Sequence, residues 1–229
     1  MKISVIIPVY NDAKYLNACL KSLKKQVEKP YEIIVVDNNS TDNTVEVAKK
    51  FGVKIIKEKN QGIRPARDAG FNAAKGDILA RTDADTIVPP DWTKRIRESF
   101  EKDSALLGLS GTAHYYDIPN ILQQKNWIAT SAPKFVKFFM KHDGMLGFNL
   151  ALSKKTWDMV KNEVCLDDKQ MHEDADLAIH IAKYGKVFFD KNIVVHTSLR
   201  QIKLKTELID YLVLKSIKTV WHKKHFKII

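Results

Sequence analysis

Cysteine is scarce in this chain: Cys19 and Cys165 are the two thiols among 229 residues. They are too few and too far apart in sequence for a disulfide framework or a cysteine-based metal site, and they fit a reducing compartment. Long apolar runs are missing as well, since none approaches the roughly 18 to 20 residues that cross a bilayer. Met1-Lys2 leads straight into the strand-like Ile3-Ser4-Val5-Ile6-Ile7, with no charged-then-apolar leader. These absences predict a soluble or surface-bound chain in the cytoplasm. Neither a Walker-type glycine loop nor G-x-G-x-x-G follows the first strand, so the usual backbone cradles for phosphate are lacking. No internal repeat or low-complexity linker breaks the chain.

What is abundant is positive charge, a formal +11 at pH 7. Basic surfaces collect polyanions, but here the lysines are scattered over helix faces, and the one dense basic stretch runs from Arg200 to Lys227. A solvated lysine-rich surface accounts for most of the excess. Helix-turn-helix, zinc and aromatic RNA-binding signatures are absent, so no nucleic-acid partner is expected. With 45% hydrophobic residues the length suits one compact domain.

The first half alternates β-branched apolar runs with helical patterns, as in a parallel sheet covered by helices. Strands are expected over Ile3 to Val9, Glu32 to Val36, Val53 to Lys57 and Asp77 to Thr82, with the near-continuous Ile and Val of strands buried on both faces. Leu16, Cys19, Leu20, Leu23 and Val27 recur at helical spacing, as do Val45, Ala48 and Phe51, and then Ala66, Ala69 and Ala73. Ser40, Thr41 and Asp42 offer caps for the second helix. After Pro89-Pro90 a helix buries Trp92, Ile96 and Phe100, and Leu106 to Tyr116 reads as extended. Further on, 119–142 is apolar and aromatic, Gly144 to Leu152 reads as a strand, Glu173 to Tyr184 as a helix closed by Gly185, and Val187 to His196 as a strand.

In an open parallel sheet, ligands bind beyond the carboxyl ends of the strands. Those ends read Tyr10-Asn11-Asp12, Asp37-Asn38-Asn39, Asn60-Gln61-Gly62 and Asp83-Ala84-Asp85. Clustered carboxylates raise one another's pKa unless a cation neutralises them, so this edge predicts a divalent metal, Mg²⁺ or Mn²⁺ by its oxygen ligands. Asp83 and Asp85 lie two apart, so an extended segment points both the same way; the competing reading is a solvated turn before Pro89-Pro90. Asp37 either contacts a base or ribose or closes an Asx turn. Arg64 and Arg67 either face a phosphate together or pair with Asp68.

In Glu173-Asp174-Ala175-Asp176-Leu177, a helix at about 100° per residue puts Asp174 on the face of Leu177, Ala178 and Ile181, and Glu173, Asp176, His180 and Lys183 on the opposite one. Asp174 is then a buried cap or a base aimed into a cleft. Glu173 is left with a capping or supporting role. His196, ending a strand, is either a metal ligand or a structural histidine.

These residues resemble the inverting glycosyltransferases of family 2. The matching pieces over about residues 1 to 200 are Val5-Ile6-Ile7-Pro8-Val9-Tyr10-Asn11, Val35-Val36-Asp37 with Ser40 and Asp42, Asn60 to Gly70, Asp83-Ala84-Asp85, Gly147-Phe148-Asn149, and Glu173-Asp174 with Asp176-Leu177. The resemblance implies an α/β GT-A fold over 1–201, with a mostly parallel Rossmann-like central sheet flanked by helices, followed by a C-terminal amphipathic helical tail over 202–229. It implies a sugar moved from a UDP- or GDP-linked donor to an acceptor hydroxyl or phosphate with Mn²⁺ or Mg²⁺. Pro8, Tyr10, Asp12, Asp37, Arg67, Asp83, Asn149 and Glu173 then resemble the substrate-binding set. Asp83, Asp85 and His196 resemble the metal ligands, and Asp174 the catalytic base. Two departures stand out. Asp68 replaces the Asn often found after Arg67, and Gln-x-x-Arg-Trp of the processive synthases is missing, which favours a single transfer per encounter.

In the tail, Leu204, Leu208, Leu212, Ile217, Val220 and Trp221 alternate with lysines. This basic amphipathic helix either packs against the domain or a second subunit, giving a homodimer, or makes peripheral contact with an anionic membrane. With the aromatic segment it suggests a glycan or lipid-linked acceptor. A non-catalytic nucleotide-sugar-binding protein and a sugar nucleotidyltransferase remain alternative readings.

Overall fold

A computed structural model describes residues 1–117, 143–165 and 172–200. The aromatic segment 119–142, the tail helix and the expected domain boundary lie outside the described residues. Within them the order is β1 (Ile3–Val9), α1 (Ala13–Lys24), β2 (Glu32–Asp37), α2 (Thr44–Lys50), β3 (Lys54–Lys57), α3 (Ile63–Ala73), β4 (Ile78–Arg81), α4 (Trp92–Lys102), β5 (Leu106–Tyr115), a 3₁₀ turn (Gly147–Asn149), β6 (Leu150–Ser153), α5 (Lys154–Val160), α6 (Glu173–Ala182) and β7 (Lys186–Thr197).

The strands form a seven-stranded sheet in the order β3-β2-β1-β4-β6-β5-β7. Pairs β1/β2, β1/β4, β2/β3 and β5/β7 are parallel, while β6 runs antiparallel to both β4 and β5. The chain winds outward from β1 in both directions, which opens a crevice beyond the carboxyl ends of β1 and β4.

Alternation along the inner strands sorts side chains into two cores. Val5, Ile7 and Val9 of β1, with Ile33 and Val35 of β2, meet Leu16, Leu20 and Leu23 of α1 and Trp92, Ile96 and Phe100 of α4. Ile6, Ile34, Val36 and Leu79 point the other way, onto Phe71 of α3, Trp157 and Val160 of α5, and Leu177, Ala178 and Ile181 of α6. Covering both faces is what makes these strands apolar throughout.

Three expectations need correction. The segment read as a strand from Gly144 is a 3₁₀ turn that becomes β6 only at Leu150. Here Asn149 turns inward, accepting from Trp92 Nε1 at 2.9 Å and donating to the Thr112 and Ile193 carbonyls at 2.9 and 3.0 Å. A short helix, α5, follows where no element was expected, capped by Ser153 Oγ accepting from the Thr156 amide at 2.9 Å. Finally, α6 has no polar outer face toward Glu173: Glu173, Asp176 and His180 are 8%, 2% and 3% exposed, whereas Asp174 is only half-buried. A wheel with one buried stripe misplaces them because each polar side chain has a partner that permits its burial.

Candidate active site

The carboxyl ends of β1, β2 and β4 and the start of β6 share one rim. Since β6 is antiparallel to β4, with Leu150 opposite Arg81, the Gly147 turn lies beside the end of β4. A cleft of about 230 Å³ opens there, lined in part by Pro8, Tyr10, Asp12, Asn38, Asp83 and Asp85. A larger hollow of about 350 Å³, near Lys29, Glu32 and Lys54, sits at the amino ends of β2 and β3 and has no comparable acidic cluster.

Two left-handed asparagines shape the rim, Asn11 (φ 51°) after β1 and Asn39 (φ 68°) after β2. The Asn11 side-chain oxygen accepts from the Thr41 amide at 2.7 Å, and the Asp12 amide donates to Thr44 Oγ1 at 3.0 Å, so the two loops brace each other. Asp37 is buried, 3% exposed, and accepts from the Ser40 amide at 2.9 Å in an Asx-type turn. The cap residues serve the loops: Asp42 accepts from the Ala13 and Thr44 amides, and Ser40 Oγ from that of Asn11.

Beneath the cleft lies a buried charge relay. Arg67 and Arg81, 0% and 1% exposed, both donate to the Glu173 carboxylate. Arg67 also donates to the Glu173 carbonyl at 3.0 Å and to Asp68 at 2.8 Å, and Asp68 pairs with Arg64 at 3.1 Å. Arg81 reaches on to Asp83 at 3.1 Å. Burial alone raises the Glu173 carboxyl, but the guanidiniums of Arg81 and then Arg67 outweigh it and hold the group below its usual range. At Asp83 the balance tips the other way: desolvation, aided by the charge of Glu173, raises the carboxyl despite Arg81.

Asp174, one residue on, is held by backbone amides. Its Oδ2 accepts from Gly147 at 2.9 Å and its Oδ1 from Ala175 at 2.8 Å. Gly147 itself lies so close to Arg81 that a Cβ there would fall 2.8 Å from Nη2. Asp174 is thereby fixed to the turn that abuts the arginine bound to Asp83.

On the opposite side of the cleft, Asp12 and Asp85 converge on Arg200. Its Nη2 lies 2.6 Å from both Asp12 oxygens and its Nε 2.9 Å from Asp85 Oδ2, while the guanidinium sits 4.1 Å over the Tyr15 ring. Thr197 Oγ1 approaches Asp85 Oδ1 at 3.4 Å. Burial first, then the charge of Asp83, pushes Asp85 up to about 6 even with Arg200 beside it.

The rim therefore brings together Pro8, Tyr10, Asp12, Asp83 and Asp85, with Asp174 linked to them through Gly147 and Arg81. Arg67 and Glu173 lie behind it, engaged with each other, and Asn149 faces the interior. His196 is exposed, its ring 5.7 Å from that of His114, and its neighbour Thr197 is the residue that meets Asp85. Desolvation and then His114 lower the His196 pKa. Arg81 and Arg200 were missed from sequence. A fully buried arginine ending the apolar Ile78-Leu79-Ala80 was a usable signal for the first; Arg200 merged with the basic tail.

A doubly wound sheet with an acidic crevice at its switch point defines a nucleotide-binding α/β domain, and comparison narrows the class. Glycosyl transferase family 2 matches residues 4–158, and the chain belongs to that family. It is 39% identical over 124 residues to an uncharacterised glycosyltransferase of Nostoc sp., covering 52% of this chain and 37% of that protein. It is 31% identical over 153 residues to the undecaprenyl-phosphate 4-deoxy-4-formamido-L-arabinose transferase of Serratia proteamaculans, covering 61% of this chain and 43% of the other. The chain thus spans less than half the length of these relatives. The solved structure of the mannosyltransferase PcManGT from Pyrobaculum calidifontis, in complex with GDP-Man and Mn²⁺, superposes with a TM-score of 0.72 at 17% identity, over 96% of this chain and 64% of that one. The fold is GT-A, as expected from the sequence.

Proposed function

We propose that this chain is a metal-dependent inverting glycosyltransferase, moving a sugar from a nucleoside-diphosphate donor, UDP- or GDP-linked, to an acceptor hydroxyl or phosphate. The observation that carries the reading is the hydrogen-bonded path from Asp83 through Arg81 to Glu173, whose neighbour Asp174 is tied to the turn packed on Arg81. It would join the donor side of the cleft to the base through contacts buried at Arg81 and Glu173.

The residues fit a divalent cation. Asp85 is a partly desolvated oxygen donor, and Asp12 and Asp85 already grip a cationic group, the Arg200 guanidinium. Asp83 and Asp85 would hold Mn²⁺ or Mg²⁺. Bound there, the ion would offset the charge of the departing nucleoside diphosphate. Asp37 and Tyr10 would contact the nucleoside. Asp174, oriented by the Gly147 and Ala175 amides, would take the proton of the acceptor hydroxyl as its oxygen attacks the anomeric carbon opposite the leaving group. Arg67, Arg81 and Glu173 would act by fixing the start of α6. His196 remains a candidate metal ligand.

The polyprenyl-phosphate acceptor named for the Serratia relative, together with the basic tail, favours a lipid-linked acceptor. Among the described residues no helix is long and apolar enough to cross a membrane, and the proposed contact is peripheral, through the basic tail. Flotation with anionic liposomes tests this, and protein left wholly in the soluble fraction contradicts it.

The principal test is a thermal-shift panel of UDP-, GDP- and dTDP-sugars with and without Mn²⁺. A donor at a hundredfold excess over its Kd stabilises by about 2.7 kcal/mol, which for this size raises the melting temperature by roughly 5 to 10 °C. No metal-dependent shift with any donor would refute the proposal. Release of nucleoside diphosphate separates it from a sugar nucleotidyltransferase, and any turnover separates it from a sugar-nucleotide sensor.

A further inference from the structure

Glu173, Asp176 and His180 form one stripe of α6, three and four residues apart, and the first binds the arginines. The other two face Cys165, which precedes the helix in sequence by eleven positions from Asp176. All three are buried, at 4%, 2% and 3% exposure for Cys165, Asp176 and His180. One ligand atom from each lies within 4.8 Å of the others, and among the described residues this is the one such group of metal-binding side chains.

The geometry is that of a site waiting to close. His180 Nε2 stands 4.0 Å from Cys165 Sγ and 3.5 Å from Asp176 Oδ1. A tetrahedral zinc with ordinary bond lengths needs separations of about 3.6 Å for sulfur to nitrogen and about 3.4 Å for oxygen to nitrogen; these two edges lie within a few tenths of an ångström of that, and the sulfur-to-oxygen edge is within 4.8 Å. Asp176 Oδ2 accepts from the Cys165 amide at 2.9 Å, which fixes the carboxylate and leaves Oδ1 turned to the histidine. His180 Nδ1 lies 3.7 Å from the Glu163 carboxylate, beyond hydrogen-bond length but near enough for Glu163 to close on a metal-bound imidazole and raise its basicity.

We infer that Cys165, Asp176 and His180 form a zinc site, separate from the acidic cleft, that ties the end of the α5 connection to the helix carrying Asp174. The mixed sulfur, nitrogen and oxygen set selects Zn²⁺ over the Mg²⁺ or Mn²⁺ suited to the oxygen-only cleft. Binding releases the Cys165 thiol proton to solvent and forms the zinc–thiolate bond. The chain's two cysteines looked too remote from each other for such a site, but the site needs only one of them.

The test uses the full chain stripped with chelator and titrated with Co²⁺, whose bond to a thiolate gives a charge-transfer band in the near ultraviolet. The band is expected to saturate at one equivalent, to disappear on adding Zn²⁺, and to persist in Cys19→Ser but not in Cys165→Ser. His180→Gln loses it, and Glu163→Gln weakens Co²⁺ binding by about 10- to 100-fold while keeping it. Zn²⁺ raises the melting temperature of the wild-type protein, and Mn²⁺ does not replace it. Absence of the band in folded wild-type protein, or its survival in Cys165→Ser, overturns the site and leaves Asp176 and His180 as buried polar neighbours. Neither result bears on donor binding, which the Mn²⁺-dependent thermal shift reads independently.

Discussion

Replacing Glu173 with glutamine removes one negative charge from between two guanidiniums that water barely reaches, Arg67 at 0% and Arg81 at 1% exposure. The amide can still accept hydrogen bonds, so the loss is chiefly electrostatic. Breaking a buried pair by removing one partner costs about 3 to 5 kcal/mol, because the remaining charge stays desolvated. At about 2 to 4 °C per kcal/mol for a domain of this size, the melting temperature should fall by roughly 6 to 20 °C. Differential scanning calorimetry reads the shift, and urea titration checks that the m-value is unchanged. A drop below about 2 °C would refute the claim that Glu173 neutralises both arginines.

The same network sets a pH dependence. The folded Glu173 carboxyl lies below its ordinary value because Arg81 and Arg67 override the effect of burial. Its stabilising contribution is therefore fully present above the unfolded pKa, near 4.3, and is lost as pH falls through the lower folded value. The stability gap between wild type and Glu173→Gln should be widest at neutral pH and shrink in acid. By contrast, the triple replacement Arg67→Met, Arg81→Met, Glu173→Met takes out the three most buried members together, leaving Asp68 to Arg64 and the partly exposed Asp83 to solvent. Such swaps are often neutral or stabilising by up to about 4 kcal/mol, so the triple variant should melt above Glu173→Gln while losing activity.

Further outcomes follow from the rim. Asp174→Asn should lower kcat/KM by about 10²- to 10⁴-fold, the usual worth of a general base, while the Mn²⁺-dependent thermal shift with donor persists. Arg200→Ala frees Asp12 and Asp85 from a part-exposed guanidinium, and Mn²⁺ affinity without donor, read by electron paramagnetic resonance, should rise roughly 2- to 5-fold. Gly147→Ala forces a methyl to within 2.9 Å of the Arg81 guanidinium carbon; urea denaturation should register a loss of about 1 to 3 kcal/mol, with turnover falling as the turn that holds Asp174 shifts.

How legible the molecule was depended on what buried each residue. Strand β1 matched its expected bounds, Ile3–Val9, because apolar residues on both faces leave no periodic alternative. The acids of the rim were visible for the complementary reason, since carboxylates directly after such strands must sit at the sheet edge. Helix α6 defeated the same method: its Glu173, Asp176 and His180 are buried through specific partners 106, 11 and 17 residues away in Arg67, Cys165 and Glu163. Hydrophobic periodicity carries no trace of such pairings. The turn at Gly147 was hidden likewise, because its shape is dictated by Arg81 and Asp174 rather than by its own residues.

Those arginines also change the argument from charge. Clustered carboxylates at a sheet edge point to a divalent cation, yet several of them have a protein counter-charge among the described residues. Glu173 is matched by Arg67 and Arg81, Asp83 by Arg81, and Asp12 with Asp85 by Arg200. Around Asp12 and Asp85 the compensation is partial, two carboxylates to one guanidinium. A divalent ion drawn to Asp85 Oδ2 would compete with Arg200, and the exchange would become favourable with a diphosphate to share the ion and to receive the released guanidinium. Metal and donor should therefore bind cooperatively, each weakly alone. Asp174 stands apart because its described partners are the amides of Gly147 and Ala175 and not a guanidinium. A carboxylate locked in an ion pair would be a poor proton acceptor, so on the proposed mechanism Asp174 would serve the acceptor while its neighbour Glu173 meets the arginines.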